Sequence, residues 1–320
     1  MLREAEMSLR PVVAVSVWTL LMIGCHEAEE PPEDPPLTSM VTIPAGNFWM
    51  GCNAAHDPYC GPPKSIAILA SEFPYHEVVL DSYEIDITEV TVGQFRACVR
   101  ARACSLWHES PPRNWDLEGR DEYPMDGLSG EQAEEYCAWA GKRLCTEAEW
   151  EKAARGGCEI YPGKDCPDAM PVYPWGNQPP SCDLAQVFHG AAFCGGENLR
   201  PVGTLPAGAS PYGVLDMAGN VGEWVSDLYA PDYYCHGDKA IYDQASVEPG
   251  CSGSEKPFLS PWPNPKGPTG ASGMGVLKGG SVGTGADVWT VRSSRRAFDG
   301  LSGGMNSEFE GTRCCRSQQQ

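Results

Sequence analysis

The residues best equipped for chemistry fall into three groups: fifteen cysteines, the turn Asp216-MAGNVG-Glu223, and the polar stretch from Gly279 to Arg296. Cysteines can serve as nucleophiles or soft-metal ligands. Here no Cys-x-x-Cys occurs and no two histidines stand four apart, so a thiolate or imidazole zinc site is not expected. Asp216 and Glu223 flank a Gly-containing turn, and two carboxylates with backbone carbonyls between them make a hard-oxygen set of the kind calcium takes. The third group lies inside the longest cysteine-free run, between Cys251 and Cys314. Its Gly279-Gly-Ser281-Val-Gly283 satisfies the Gly-x-Ser-x-Gly pattern of hydrolases, yet the residues that follow are Gly-bearing and β-branched, with no helical period. A nucleophilic serine of that type needs a helix directly after it. Ser281 is therefore expected to bond backbone in a turn. Asp287, Trp289, Arg292, Arg295 and Arg296 remain. Guanidinium forks suit carboxylates and planar groups, so these residues either edge a polar ligand groove or pair with the domain's own acids. Both readings stand at this stage.

The elements that must position these groups are legible first as helices. Three times a Ser or Thr is followed three residues later by Glu or Gln, which satisfies free backbone N–H groups reciprocally and starts a helix. Thr91-Val-Gly-Gln94 opens one with Phe95, Cys98 and Val99 on one face. Ser129-Gly-Glu-Gln132 opens a second with an Ala133, Tyr136, Cys137, Ala140 stripe, which Gly141 is placed to end. Thr146-Glu-Ala-Glu149 opens a third with Trp150, Ala153 and Ala154 inward and Gly156-Gly157 as the stop. Lys142 and Arg143 between the last two are expected at the carbonyl end of the second helix. Short strand candidates are Met40–Gly51, Val78–Leu80, Gly213–Leu215, Glu223–Val225, Val276–Leu277 and Val288–Val291. Few helices, short strands and long Gly- and Pro-rich loops indicate an α+β domain low in regular structure, which disulfides and metal would have to stiffen.

Charge and leader narrow the setting. Arg3 and Arg10 precede an apolar run from Val12 to Gly24, too short to span a bilayer, that ends at Cys25. Met22-Ile-Gly-Cys25 is similar to a bacterial lipobox, which implies a signal segment over 1–25, lipid on Cys25 and, with no Asp after the cysteine, the outer membrane or cell envelope. Residues 26–38 are an acidic, proline-rich tether that cannot pack a core. The residues before Leu37 carry two arginines against seven acids, leaving −15 of the formal −20 on the remainder. Such a domain repels nucleic acid, and cations are its natural small partners. With Cys25 lipidated, fourteen cysteines remain, an even number that reads as a disulfide framework in an exported chain. Proximity suggests Cys52 with Cys60, Cys98 with Cys104, Cys158 with Cys166, Cys182 with Cys194 and Cys235 with Cys251.

Seven blocks together resemble a known family. Met40-VTIPAGNFWMG, Tyr83-EIDITEVTVGQFRACV, Ala133-EEYCAWAGKRLCTEAEWEKAARGG, Tyr173-PWGN, Pro201-VGTLPAGASPYGVLDMAGNVGEWVSD, Leu277-KGGS and Gly311-TRCC are similar, in order, to the blocks of the formylglycine-generating enzyme or sulfatase-modifying factor family. The likeness covers residues 39–317 and implies one domain of the formylglycine-generating fold, a C-type-lectin-like variant. It implies structural calcium at Asp216, Gly219 (carbonyl), Val221 (carbonyl) and Glu223, and a further site at Asp183 and the Leu184 carbonyl with Glu197 and the Leu199 carbonyl. It implies a disulfide from Cys137 to Cys314. Cys145 stands where the family usually has Pro, and Cys315 is an added neighbour, which suggests a second bridge; two adjacent strand cysteines would then need a twist or bulge. Active members bind Cu(I) with two cysteines of the block that here runs GGSVGTGADVWTVRSS, and Thr284 and Trp289 stand in those places. No copper is expected. The reading is a lipid-anchored binding or structural module for a peptide, protein or glycan ligand. A divergent oxidoreductase or an accessory subunit of an exported enzyme is the alternative.

Overall fold

The computed structural model of the chain describes residues 36–60, 71–105, 112–161, 166–189, 192–237, 251, 256–268, 273–284, 288–301 and 307–318. Cys25 and Asp287 lie outside them, and for Thr284 and Trp289 the backbone alone is described. Pro44, which has no N–H to give a ladder, splits the first strand candidate into β1 (Met40–Ile43) and β2 (Gly46–Met50). β3 (His76–Leu80) and β4 (Tyr83–Asp86) follow. Three helices come next: α1 (Val92–Arg100), α2 (Gly130–Trp139) and, after the two-residue β5 (Arg143–Leu144), α3 (Glu147–Arg155). Each has both halves of its capping box, on Thr91, Ser129 and Thr146. Gly141 and Gly156 sit just past helix ends at φ +70° and +89°, a backbone region that favours glycine.

The rest of the chain is irregular between short elements. β6 (Phe188–His189) and β7 (Ala192–Phe193) form a ribbon. β8 (Gly222–Leu228), β9 (Trp262–Pro263), β10 (Met274–Lys278), β11 (Ala297–Gly300), β12 (Glu310–Thr312) and β13 (Cys314–Ser317) complete the sheets. One sheet runs β1-β4-β13-β5, a second β11-β10-β8-β12, and a third β2-β3-β9. Two strand candidates are corrected. Gly213–Leu215 gives only single contacts, Leu215 N–H to Ile87 O, before Asp216 turns the chain at φ +56°. Val288–Val291 is one 3-10 turn whose Thr290 carbonyl lies where a side chain on Gly280 would stand.

Two apolar cores lie on either side of the first sheet's C-terminal strand. One gathers Phe48, Val78, Ile85, Trp150, Val225 and Tyr234; the other gathers Phe95, Leu128, Tyr136, Trp224 and Leu277. Cys314 belongs to the second core, bonded to Cys137, and Cys315 to the first, bonded to Cys145. The expected twist or bulge is not needed. β13 pairs in continuous register with β5, Cys314 opposite Leu144 and Cys315 opposite Arg143. The strand's alternation itself sends one sulfur into each core. The five short-range bridges join the pairs suggested by proximity.

Candidate functional site

The Asp216–Glu223 turn is built on backbone that few residues tolerate. Asp216 and Asn220 have positive φ, and Gly219, at φ +82°, lies so close to the Gln186 carbonyl that an added Cβ would stand 2.3 Å from it. The turn delivers Glu223, fully buried, to Arg313: Oε2 accepts from Nε at 2.6 Å and Oε1 from Nη2 at 2.7 Å. Trp150 Nε1 donates to the same Oε2 at 2.7 Å. Asp216 accepts from the Gly203 N–H at 2.6 Å. Glu89 joins from the β4–α1 connection, accepting from the Asn220 amide at 2.8 Å and the Val221 N–H at 3.2 Å. Burial first, then the charges of Asp216 and Glu223, pushes the Glu89 carboxyl well above the usual range. Burial also raises Asp216. Within the expected calcium cradle of Asp216, Gly219, Val221 and Glu223, the carboxylates therefore already have protein partners. Both Glu223 oxygens are held by a guanidinium, which is the positive charge of this site.

The residues of the further expected calcium group divide between surface and core. Asp183 is exposed. The Leu184 carbonyl faces the α-carbon of Gly208, where a Cβ would stand 1.9 Å away. The exposed Glu197 carboxylate binds Arg120 at 2.9 Å and Tyr123 at 3.3 Å, while Leu199 is buried among Val221 and Val282.

For the arginine-rich segment the expected ligand groove gives way to the other reading, pairing with the domain's own acids. Arg292, Arg295 and Arg296 are buried, so they line no open groove. Arg292 gives Nη1 to Asp57 at 2.7 Å and Nη2 to Glu72 at 2.8 Å, and the Ser294 hydroxyl bridges the same cluster, donating to Glu72 at 2.9 Å. Arg295 donates to the Arg296 carbonyl. Arg296 binds Glu147 through Nε at 2.8 Å and the Ser71 and Ala230 carbonyls through Nη1, with its guanidinium 4.7 Å from the Tyr234 ring centroid. Glu147, Glu151 and Arg155, spaced four apart on α3, carry this pairing on to Lys278, 3.0 Å from Glu151. Asp227 accepts from the Glu147 N–H, and burial, then the Glu147 charge, pushes its carboxyl up to about 7. Burial holds His76, packed against Tyr234, down at about 4, and so neutral.

Sequence reasoning missed Asp57, Glu72, Glu89, Glu147, Asp227 and Arg313. The one available signal was the four-residue spacing of Glu147, Glu151 and Arg155, ordinarily the mark of a solvated face. Ser281 accepts the Gly283 N–H at 3.2 Å, as a turn serine does. Lys142 does sit at the carbonyl end of α2, its N–H on the Cys137 carbonyl at 2.8 Å, but the side chains turn elsewhere: Lys142 pairs with buried Asp86, and Arg143 grips Glu149 with both Nη atoms at 2.7 and 2.6 Å. Beside Arg143, a surface cleft of about 890 Å³ opens between α2, β5 and β8, with Glu131, Glu134, Ser226, Lys266 and Leu301 on its walls.

Comparison with known proteins fits this architecture. A family model described as sulfatase-modifying factor enzyme 1-like domain matches residues 26–318. The mouse protein named inactive C-alpha-formylglycine-generating enzyme 2 is 32% identical over 70% of this chain and 77% of its own length. Hercynine oxygenase of Mycolicibacterium smegmatis is 32% identical over 60% of this chain, which spans 46% of that protein. The serine/threonine-protein kinase pkn1 of Chlamydia caviae is 32% identical over 65% of this chain, which spans only 31% of the kinase. Among solved structures, PvdO of Pseudomonas aeruginosa superposes with a TM-score of 0.56 at 23% identity, over 87% of this chain and 94% of its own.

Proposed function

This chain belongs to the sulfatase-modifying factor enzyme 1-like family, and from that premise we propose that it is an exported, lipid-anchored binding or structural module without copper-dependent oxidase activity. The observation that carries this reading is the cysteine economy. Of fifteen cysteines, fourteen are closed in seven disulfides, and the remaining one is Cys25. Cu(I) needs soft thiolate ligands. A domain whose cysteines are all in disulfides offers no thiolate, and segment 276–300 has no cysteine. Seven disulfides also suit an oxidising compartment, in keeping with the leader and lipobox-like Cys25. The relative named inactive supports the same direction. With the arginines of 292–296 consumed inside the protein, the ligand surface passes to the cleft between α2 and β8, whose mixed charges and Leu301 suit a peptide or glycan.

The test is incubation of the purified full chain, with Cu(I) and oxygen, with a sulfatase-motif peptide containing cysteine, read by mass spectrometry. An unchanged peptide is expected; cysteine converted to formylglycine would sink the proposal. Growth of expressing cells on labelled fatty acid checks the anchor. Label should enter the native protein and be lost in Cys25→Ser, and an unlabelled native protein would remove the lipid from the account.

A further inference from the structure

We infer that this chain supplies, from its own side chains, the electropositive groups that calcium would bring to its two carbonyl-rich turns: the Arg313 guanidinium at 216–223 and the Gln186 carboxamide at 194–198. The fold is then calcium-independent.

Arg313 is saturated. Besides its two bonds to Glu223, Nη1 donates to the Asp86 and Ile87 carbonyls, both at 3.2 Å, and Nη2 to the Leu215 carbonyl at 2.9 Å. A guanidinium has five N–H groups, and here five oxygens receive them. They come from the end of β4, the approach to the turn and β8, so one cation gathers separate segments as a bound calcium gathers its six to eight oxygens. The neighbouring donors are also engaged, Asp216 by the Gly203 N–H and Glu89 by Asn220 and Val221. A calcium ion that displaced Arg313 from Glu223 would open a bidentate pair in which both side chains are fully buried.

At the second turn the electropositive group is neutral. Gln186 is 2% exposed, and its Nε2 stands 3.1, 2.6 and 3.2 Å from the carbonyl oxygens of Cys194, Glu197 and Asn198. Three acceptors converge on two hydrogens, and a flipped amide would turn oxygen against three oxygens. The orientation is thereby fixed, although it leaves Gln186 Oε1 buried without a donor. The carboxylate of Glu197, which could have entered such a cage, points instead to Arg120.

The experiment uses the full purified chain, with melting curves in excess chelator and in millimolar calcium, and metal analysis of the protein. Melting temperatures equal within about 1 °C and no stoichiometric calcium are expected; a ligand bound only by the folded state would raise the melting point by mass action. A drop of several degrees in chelator, with one or two equivalents of calcium on the native protein, overturns the inference. The isosteric Gln186→Glu variant tests the second turn by itself. Its carboxylate faces three carbonyl oxygens, so its melting point should fall in chelator and recover in calcium. A variant that melts like the native chain in chelator, or a loss that calcium fails to restore, rejects the equivalence of amide and ion there.

Discussion

The three capping boxes that open at Thr91, Ser129 and Thr146 and the segment from Arg292 to Arg296 are both built of polar residues, and they use them oppositely. In the first, Thr91, Ser129 and Thr146 bond residues three positions away and fix local backbone. In the second, Arg292 reaches Asp57 and Glu72, 235 and 220 positions distant, and fixes how remote segments meet. A capping box replaces water on exposed N–H groups, so losing it costs little. A buried guanidinium between two carboxylates replaces water on three charges, and losing it strands the other two. Polar density is thus a poor guide to a ligand surface unless the partners are known.

Three measurements would sharpen or break this contrast. Arg292→Leu should destabilise by about 3–5 kcal/mol in denaturant unfolding, because Asp57 and Glu72 keep their burial and lose their cation. A loss under about 1 kcal/mol would mean the segment behaves as a solvated surface after all. Next in size is a pH effect at Asp227. Its folded carboxyl titrates at about 7 against an unfolded 3.8, so between those values the folded state holds a proton the unfolded state has lost. Stability from this group therefore falls as pH rises from about 4 to about 7. Asp227→Asn cannot ionise and should flatten that fall by on the order of 2 kcal/mol, measured as unfolding free energy at about pH 5 and pH 7.5. His76, neutral in the fold, acts in the opposite sense below about pH 6.5 and cancels between the two proteins. Parallel pH profiles would show that Asp227 is not the titrating group. The smallest effect is Thr146→Ala, about 1 kcal/mol from the lost α3 cap; a loss as large as that of Arg292→Leu would erase the distinction between local and long-range polar residues.

The same contrast explains how much of the molecule was legible in its sequence. α1, α2 and α3 were readable because Thr91-Gln94, Ser129-Gln132 and Thr146-Glu149 write their hydrogen bonds within four residues. The short disulfides were readable for the same reason. β5, two residues long, had no pattern to show, and Val288–Val291 carried β-branched residues without a strand to pair with. The candidate site was the least legible part. Asp216 and Glu223 were found, but the partner that decides their chemistry, Arg313, stands 90 positions from Glu223. The groove reading of Arg295 and Arg296 failed likewise, since nothing near them in sequence announces Glu147 or the Tyr234 ring.

β13 also dictates when the domain can close. It is the last strand in sequence, yet it lies between β4 and β5, and its two cysteines reach back 177 and 170 residues. A chain that emerges from its N-terminus must keep Cys137 and Cys145 as open thiols until β13 appears. An oxidant arriving early would find them eight positions apart with no legitimate partner. Arrival of β13 is therefore the event that commits this protein to its covalent form, and loss of Cys314 and Cys315 would leave both cores without their common clasp.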